Sequence, residues 1–230
     1  VNKFLVIGDS HVSFFTGVDA IVKTVDVPGA VQTWNVRGMS FRVCHLGPCL
    51  SYSLISPNSK TDSRRRLFKA LDSHKATEWK KVVLVFGEID CRHHIISRLS
   101  GDVEKSAIER EVQVTTLRYF TVVNEIAALG FEPIVWGPVA TTSIQGSKAS
   151  AKTRRNWPIL GSMELRNRVT AAFNDDMCRR CDEAGFTMIT LFWELQKDWA
   201  TNEYWYFDSA HLSSRAWELA LPKFKHRSLL

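Results

Sequence analysis

The feature that most restricts the fold is a set of five short, almost wholly apolar runs. They cover Lys3 to Ile7, Phe41 to Leu46, Lys81 to Phe86, Glu132 to Trp136 and Phe186 to Leu191. A strand with one wet face alternates apolar and polar residues, and Val82-Val83-Leu84-Val85-Phe86 does not. Such a run suits a strand covered on both faces, as in a parallel sheet flanked by helices. Longer amphipathic stretches separate most of the runs. Ser63 to Lys75 places Leu67, Ala70 and Leu71 on one helical face, and Val103 to Leu129 carries Ile108, Val112, Leu117, Phe120, Val123 and Ile126 near helical spacing before Gly130 stops it. Met163 to Ala184 is closed by Gly185, and Ser213 to Lys225 opens on an N-cap serine. This alternation predicts an α/β protein: a three-layer α/β/α sandwich on a five-stranded parallel sheet, one domain over residues 1–230.

Ligands of such sheets bind beyond the carboxyl ends of the strands. Three polar groups of residues fall there: Ser10 after the first run, Gly47 after the second, and Glu88 to Arg92 after the third. Thr141 to Pro158 is polar and basic and is expected to form a loop over that edge.

The totals exclude several classes. No apolar stretch is long enough for a membrane span, and the opening Val1 to Ile7 runs too quickly into Gly8-Asp9-Ser10 to read as a secretory signal. Five cysteines, an odd number, fit free thiols in a reducing compartment better than a disulfide scaffold. A cytoplasmic location is expected, although the chain does not begin with Met. Cys178-Arg-Arg-Cys181 lacks the second ligand pair of a structural zinc site, and adjacent His93 and His94 would point apart, so no metal is expected. The net charge of +6 is concentrated in runs such as Arg64-Arg65-Arg66. These read as a solvated face, with attraction of an anionic glycan as the functional alternative. No nucleic-acid motif accompanies them.

Gly8-Asp9-Ser10 ends a buried strand, where glycine permits the tight turn that would expose a hydroxyl. Serine is a weak nucleophile without a base. Asp208-Ser-Ala-His211, just ahead of the last helix, supplies one candidate: His211 takes the serine proton, and Asp208 orients the imidazole. His11, next to Ser10, is expected to point away from it. The late aromatics Trp193, Trp199, Tyr204, Trp205, Tyr206 and Phe207 read as a core plug or as a platform for sugar rings or acyl chains.

With these blocks the chain resembles the SGNH/GDSL hydrolase family. Gly8-Asp9-Ser10 is similar to its nucleophile block, and His45-Leu-Gly47-Pro48 to its oxyanion glycine block. Phe86-Gly-Glu88-Ile-Asp90 stands where the family has Gly-x-Asn-Asp, and Asp208-Ser-Ala-His211 is similar to its terminal block. The resemblance implies a flavodoxin-like SGNH-hydrolase fold and a serine esterase that needs no cofactor. It implies Ser10, Asp208 and His211 as the triad, with an oxyanion hole from the Ser10 and Gly47 amides.

One departure stands out. The family's asparagine, a side-chain oxyanion donor, aligns with Ile89, which cannot donate. An extended Glu88-Ile-Asp90-Cys-Arg92 segment would put Glu88, Asp90 and Arg92 on one side. Arg92 is then a substitute donor held by Asp90 or Glu88, with a structural ion pair as the alternative. Glu88, Asp90, His45 and Trp136 are expected to line the substrate pocket. The expected partner is a small-molecule or glycan ester. Hydrolysis, acyl transfer to a sugar hydroxyl, and binding without catalysis all remain open at this point.

Overall fold

The computed structural model describes residues 2–22, 32–75, 77–143, 158–227 and 229. All five apolar runs form strands of one sheet: β1 (Lys3–Gly8), β3 (Met39–His45), β4 (Lys81–Val85), β5 (Glu132–Trp136) and β6 (Thr187–Ile189). They are mutually parallel, with Leu5 opposite Arg42 on one side and Val82 on the other. A sixth strand, β2 (Thr33–Val36), was not expected. It pairs antiparallel with β3 at the sheet edge, giving the order β2-β3-β1-β4-β5-β6. Arg37 and Gly38 join these two strands with φ of 51° and 82°, the two-residue turn that suits a twisted hairpin. An edge strand needs no continuous apolar run, and Thr33-Trp-Asn-Val36 has none.

Side chains alternate across β1 and divide the core in two. Leu5 and Ile7 join Val82, Leu84 and the inner face of the helix Lys105–Ala128. Phe4 and Val6 join Phe41, Val83, Phe14, Trp217 and Phe224 on the other face. All four β1 residues are fully buried, worth about 1.5–3 kcal/mol for each large apolar side chain.

The helices lie close to their expected positions. Met163–Ala184 begins at Ser162, whose side chain accepts from the Leu165 amide, and ends at left-handed Gly185. The last one differs slightly: a 3₁₀ turn (Ser214–Ala216) precedes the helix Trp217–His226, and the Ser213 hydroxyl donates to the Trp205 carbonyl instead of capping. No helix among the described residues is long and apolar enough to cross a membrane. Most of the loop expected over Thr141 to Pro158, with the basic run Lys148 to Arg155, lies outside the described residues.

Candidate active site

The sheet's carboxyl edge is built by a close approach of strands. A Cβ on Gly8 would sit 2.0 Å from the Val85 carbonyl oxygen, so only glycine lets β1 and β4 meet there. The chain then turns at once. The Asp9 amide donates to Val85 O at 3.2 Å, and the Asp9 carboxylate accepts from the His11 amide at 3.0 Å, capping a 3₁₀ helix (Ser10–Thr16). Ser10 is the first residue of that helix and is only half-buried.

Ser10 Oγ lies 2.7 Å from His211 Nε2, and His211 Nδ1 lies 2.8 Å from Asp208 Oδ2. Asp208 Oδ1 accepts from the amides of Ala210 at 2.8 Å and His211 at 2.7 Å, which fixes the carboxylate. Burial pushes the Asp208 pKa up, but the hydrogen bonds and charge of His211 outweigh it and hold the group at about 2. A carboxylate that stays ionised keeps the His211 proton on Nδ1. Nε2 is then the acceptor that faces the serine.

A second charged chain lies against the first. The His11 ring packs on the His211 ring, centroids 4.6 Å apart, and His11 Nε2 is 3.5 Å from Glu88 Oε2. The Arg92 Nε donates to Glu88 Oε2 at 2.9 Å and lies 2.8 Å from Oε1. Burial alone would raise Glu88, but Arg92 and His11 hold it far below the usual carboxylate range. Burial pushes His11 down, but Asp9 and Glu88 outweigh it and leave its pKa raised. The place of His11 follows from the 3₁₀ turn, since consecutive helical residues are not directed to opposite sides as strand residues are. The turn could have been read from Asp9 as a potential N-cap.

The structure corrects the expected arrangement of residues 88–92. The segment is helical, with a π-helical turn (Asp90–His94), so Glu88 and Arg92 pair four residues apart. Asp90 does not hold Arg92. It is fully buried and accepts from the amides of Ser51 at 2.7 Å and Tyr52 at 3.1 Å, while burial pushes its pKa up to about 6. Asp90 is a buried anchor rather than a pocket residue. Trp136 is packed in the core, 3% exposed, with its ring 5.4 Å from Phe14 and 5.0 Å from Phe15, and it also lines a small cavity with His11 and Glu88.

The other expected residues occupy the same edge. Leu46 N donates to Gly8 O at 2.7 Å, tying the end of β3 to the turn that carries Ser10. Gly47 follows with φ of 74°. His45 is half-buried with Nδ1 3.1 Å from Val22 O, and burial lowers its pKa. Ile89 is buried. Of the late aromatics, Tyr206 is buried with its hydroxyl on Ala140 O, and Phe207 stacks on His211 at 5.7 Å. Trp193 and Tyr204 remain largely exposed.

No protein-family model matches the sequence, and no curated protein matches it. Solved structures do match. An aryl esterase from M. smegmatis superposes with a TM-score of 0.52 at 14% identity, over 100% of both chains. A carbohydrate acetylesterase from Sinorhizobium meliloti gives 0.53 at 15%, again over 100% of both. A lipase/acylhydrolase from Enterococcus faecalis gives 0.50 at 15%, over 100% of this chain and 96% of that one. The fold is that of the SGNH hydrolases.

Proposed function

We propose that this chain is a serine esterase and that its substrate class is a carbohydrate carrying O-acetyl groups. The observation that carries the reading is the continuous chain from Ser10 Oγ through His211 to Asp208, at 2.7 and 2.8 Å. In this reading Ser10 Oγ attacks the ester carbonyl as its proton passes to His211 Nε2. His211 then returns that proton to the leaving alcohol. Water, deprotonated by the same nitrogen, releases the acid from the acyl-serine. Asp208 stabilises the imidazolium without taking up its proton. The oxyanion is held by the amides of Ser10 and Gly47. In this reading Arg92, held by Glu88, takes the role of the family's asparagine. The likeness to the carbohydrate acetylesterase supports the choice of substrate.

The test is hydrolysis of p-nitrophenyl acetate and of an acetylated xylo-oligosaccharide by the wild-type chain and by Ser10→Ala. The expected result is turnover of both by the wild type and none by the variant. Turnover that persists in Ser10→Ala would rule out Ser10 as the nucleophile. Turnover of the aryl ester alone would remove the carbohydrate.

A further inference from the structure

A groove of about 600 Å³ runs between the helices Lys105–Ala128 and Met163–Ala184, and no triad residue lines it. Its floor is apolar, formed by Ile108, Val112, Ala171 and Ala172. Trp193 and Trp199 also line it. Trp193 is 49% exposed, a large ring surface left to water.

Trp199 is held in an unusual way. It caps a short hairpin, β7 (Gln196–Lys197) with β8 (Ala200–Thr201), whose two turn residues are Asp198 and Trp199. Their φ values are 51° and 66°, the left-handed pair that Asn-Gly fills at least cost. An indole in the second place is strained. The turn persists because it is pinned from two directions. Trp199 N donates to Gln196 Oε1 at 3.0 Å, and Asn167 Nδ2 donates to Trp199 O at 2.9 Å. Strain that the surroundings enforce in this way collects at ligand sites. What it secures here is an indole at the groove, with the Arg168 guanidinium 5.9 Å from the ring centroid.

The charges indicate the ligand. Lys105, Arg168 and Arg179 share the groove with Glu109, Asp175 and Asp176, so neither sign prevails. Several neutralise each other: Lys105 lies 3.7 Å from Glu109, and Arg179 lies 2.5 Å from Asp176. A strongly anionic or cationic ligand gains nothing from such a surface. A neutral sugar ring offers an apolar face to an indole and hydroxyls that both donate and accept. The volume is also that of an ordinary ligand site.

We propose that this groove binds a neutral oligosaccharide, with sugar rings stacked on Trp193 and Trp199. The site is linked to the triad. Asn167, which pins the Trp199 turn, also accepts from Thr141 N at 2.8 Å, and Thr142 Oγ1 donates to the carbonyl of Ser209, beside Asp208. Binding stands on the groove alone, whereas a role in delivering substrate to Ser10 rests on the esterase reading.

The test uses the full chain carrying Ser10→Ala, titrated with cellohexaose, xylohexaose and chitohexaose by calorimetry and indole fluorescence. At least one hexasaccharide binds. Trp193→Ala and Trp199→Asn, the latter a residue that tolerates the left-handed turn, each weaken it about tenfold. Leu117→Ala, exposed on the same helix but not lining the groove, leaves binding unchanged. Failure of all three sugars to bind, or binding that survives both tryptophan changes, overturns the proposal. So does tighter binding of hexagalacturonate, or a wild-type dimer in sedimentation that Trp193→Ala dissolves, which would make the groove an interface between copies. Hydrolysis of p-nitrophenyl acetate by the wild type reports separately on the esterase reading.

Discussion

The ion pair beside His11 and His211 yields a quantitative prediction for Glu88→Gln. Glu88 and Arg92 are 13% and 15% exposed, so water compensates little for either charge. Removing one member of a buried pair costs about 3–5 kcal/mol, because the other is left unpaired. Glutamine keeps the shape and one acceptor oxygen for the Arg92 Nε, which points to the lower end, about 3 kcal/mol. The assay is urea unfolding of both proteins as a function of pH. Glu88 has a depressed folded pKa, so its contribution is complete above the unfolded value of about 4.3. It is lost as pH falls below that toward the folded value. The gap between wild type and variant is therefore full at pH 7 and narrows in acid. The His11 pKa also falls in the variant, because Glu88 is one of the groups that raise it, and a proton NMR titration reads this directly. A gap under about 1 kcal/mol at pH 7, the value of an ordinary surface pair, would refute the reasoning. So would a gap that does not change with acidity.

Two further substitutions test other parts of the edge. In Asp208→Asn the side-chain oxygen takes the two amide hydrogen bonds of Oδ1, so its NH₂ faces His211 Nδ1. That forces the other tautomer and puts a proton between Nε2 and Ser10. The expected loss in kcat on p-nitrophenyl acetate is about 10⁴-fold, and a loss under tenfold would remove Asp208 from the triad. Asp90 is the opposite case from Glu88. Its folded pKa of about 6 lies above the unfolded value of about 3.9, so its contribution is present below the lower value and lost as pH rises through the upper one. Asp90→Asn is expected to remove roughly 3 kcal/mol of that pH dependence, measured by unfolding between about pH 4 and 7. Equal slopes in the two proteins would show that Asp90 is not desolvated in the native state.

The sheet was legible because its central strands are buried on both faces, and burial writes itself into sequence as continuous apolar runs. The edge strand β2 is not so buried and left no such record. The place of Ser10 was legible for a related reason, since it directly follows the buried strand β1, whereas Asp208 and His211 follow an element with no buried residue and stood out only through their Asp-x-x-His spacing. The Glu88 to Arg92 segment was misread as extended. It has no capping residue before it, since Gly87 precedes it, and its π-helical turn breaks the 3.6-residue period that marks a helix. An extended segment would set Asp90 beside Arg92, whereas the helical turn sends it to the amides of Ser51 and Tyr52. Trp136 fell at a strand end by sequence, but only the packing of Phe14 and Phe15 around it reveals a core residue.

The hydrogen bond between Ser10 and His211 joins residues 201 positions apart. During synthesis the serine is therefore made long before its base. At about 5–20 residues per second the interval is roughly 10–40 s. Until then the Ser10 hydroxyl has no His211 imidazole beside it. The contact closes only after all six strands of the main sheet have been made, so this one hydrogen bond reports that nearly the whole chain is in place.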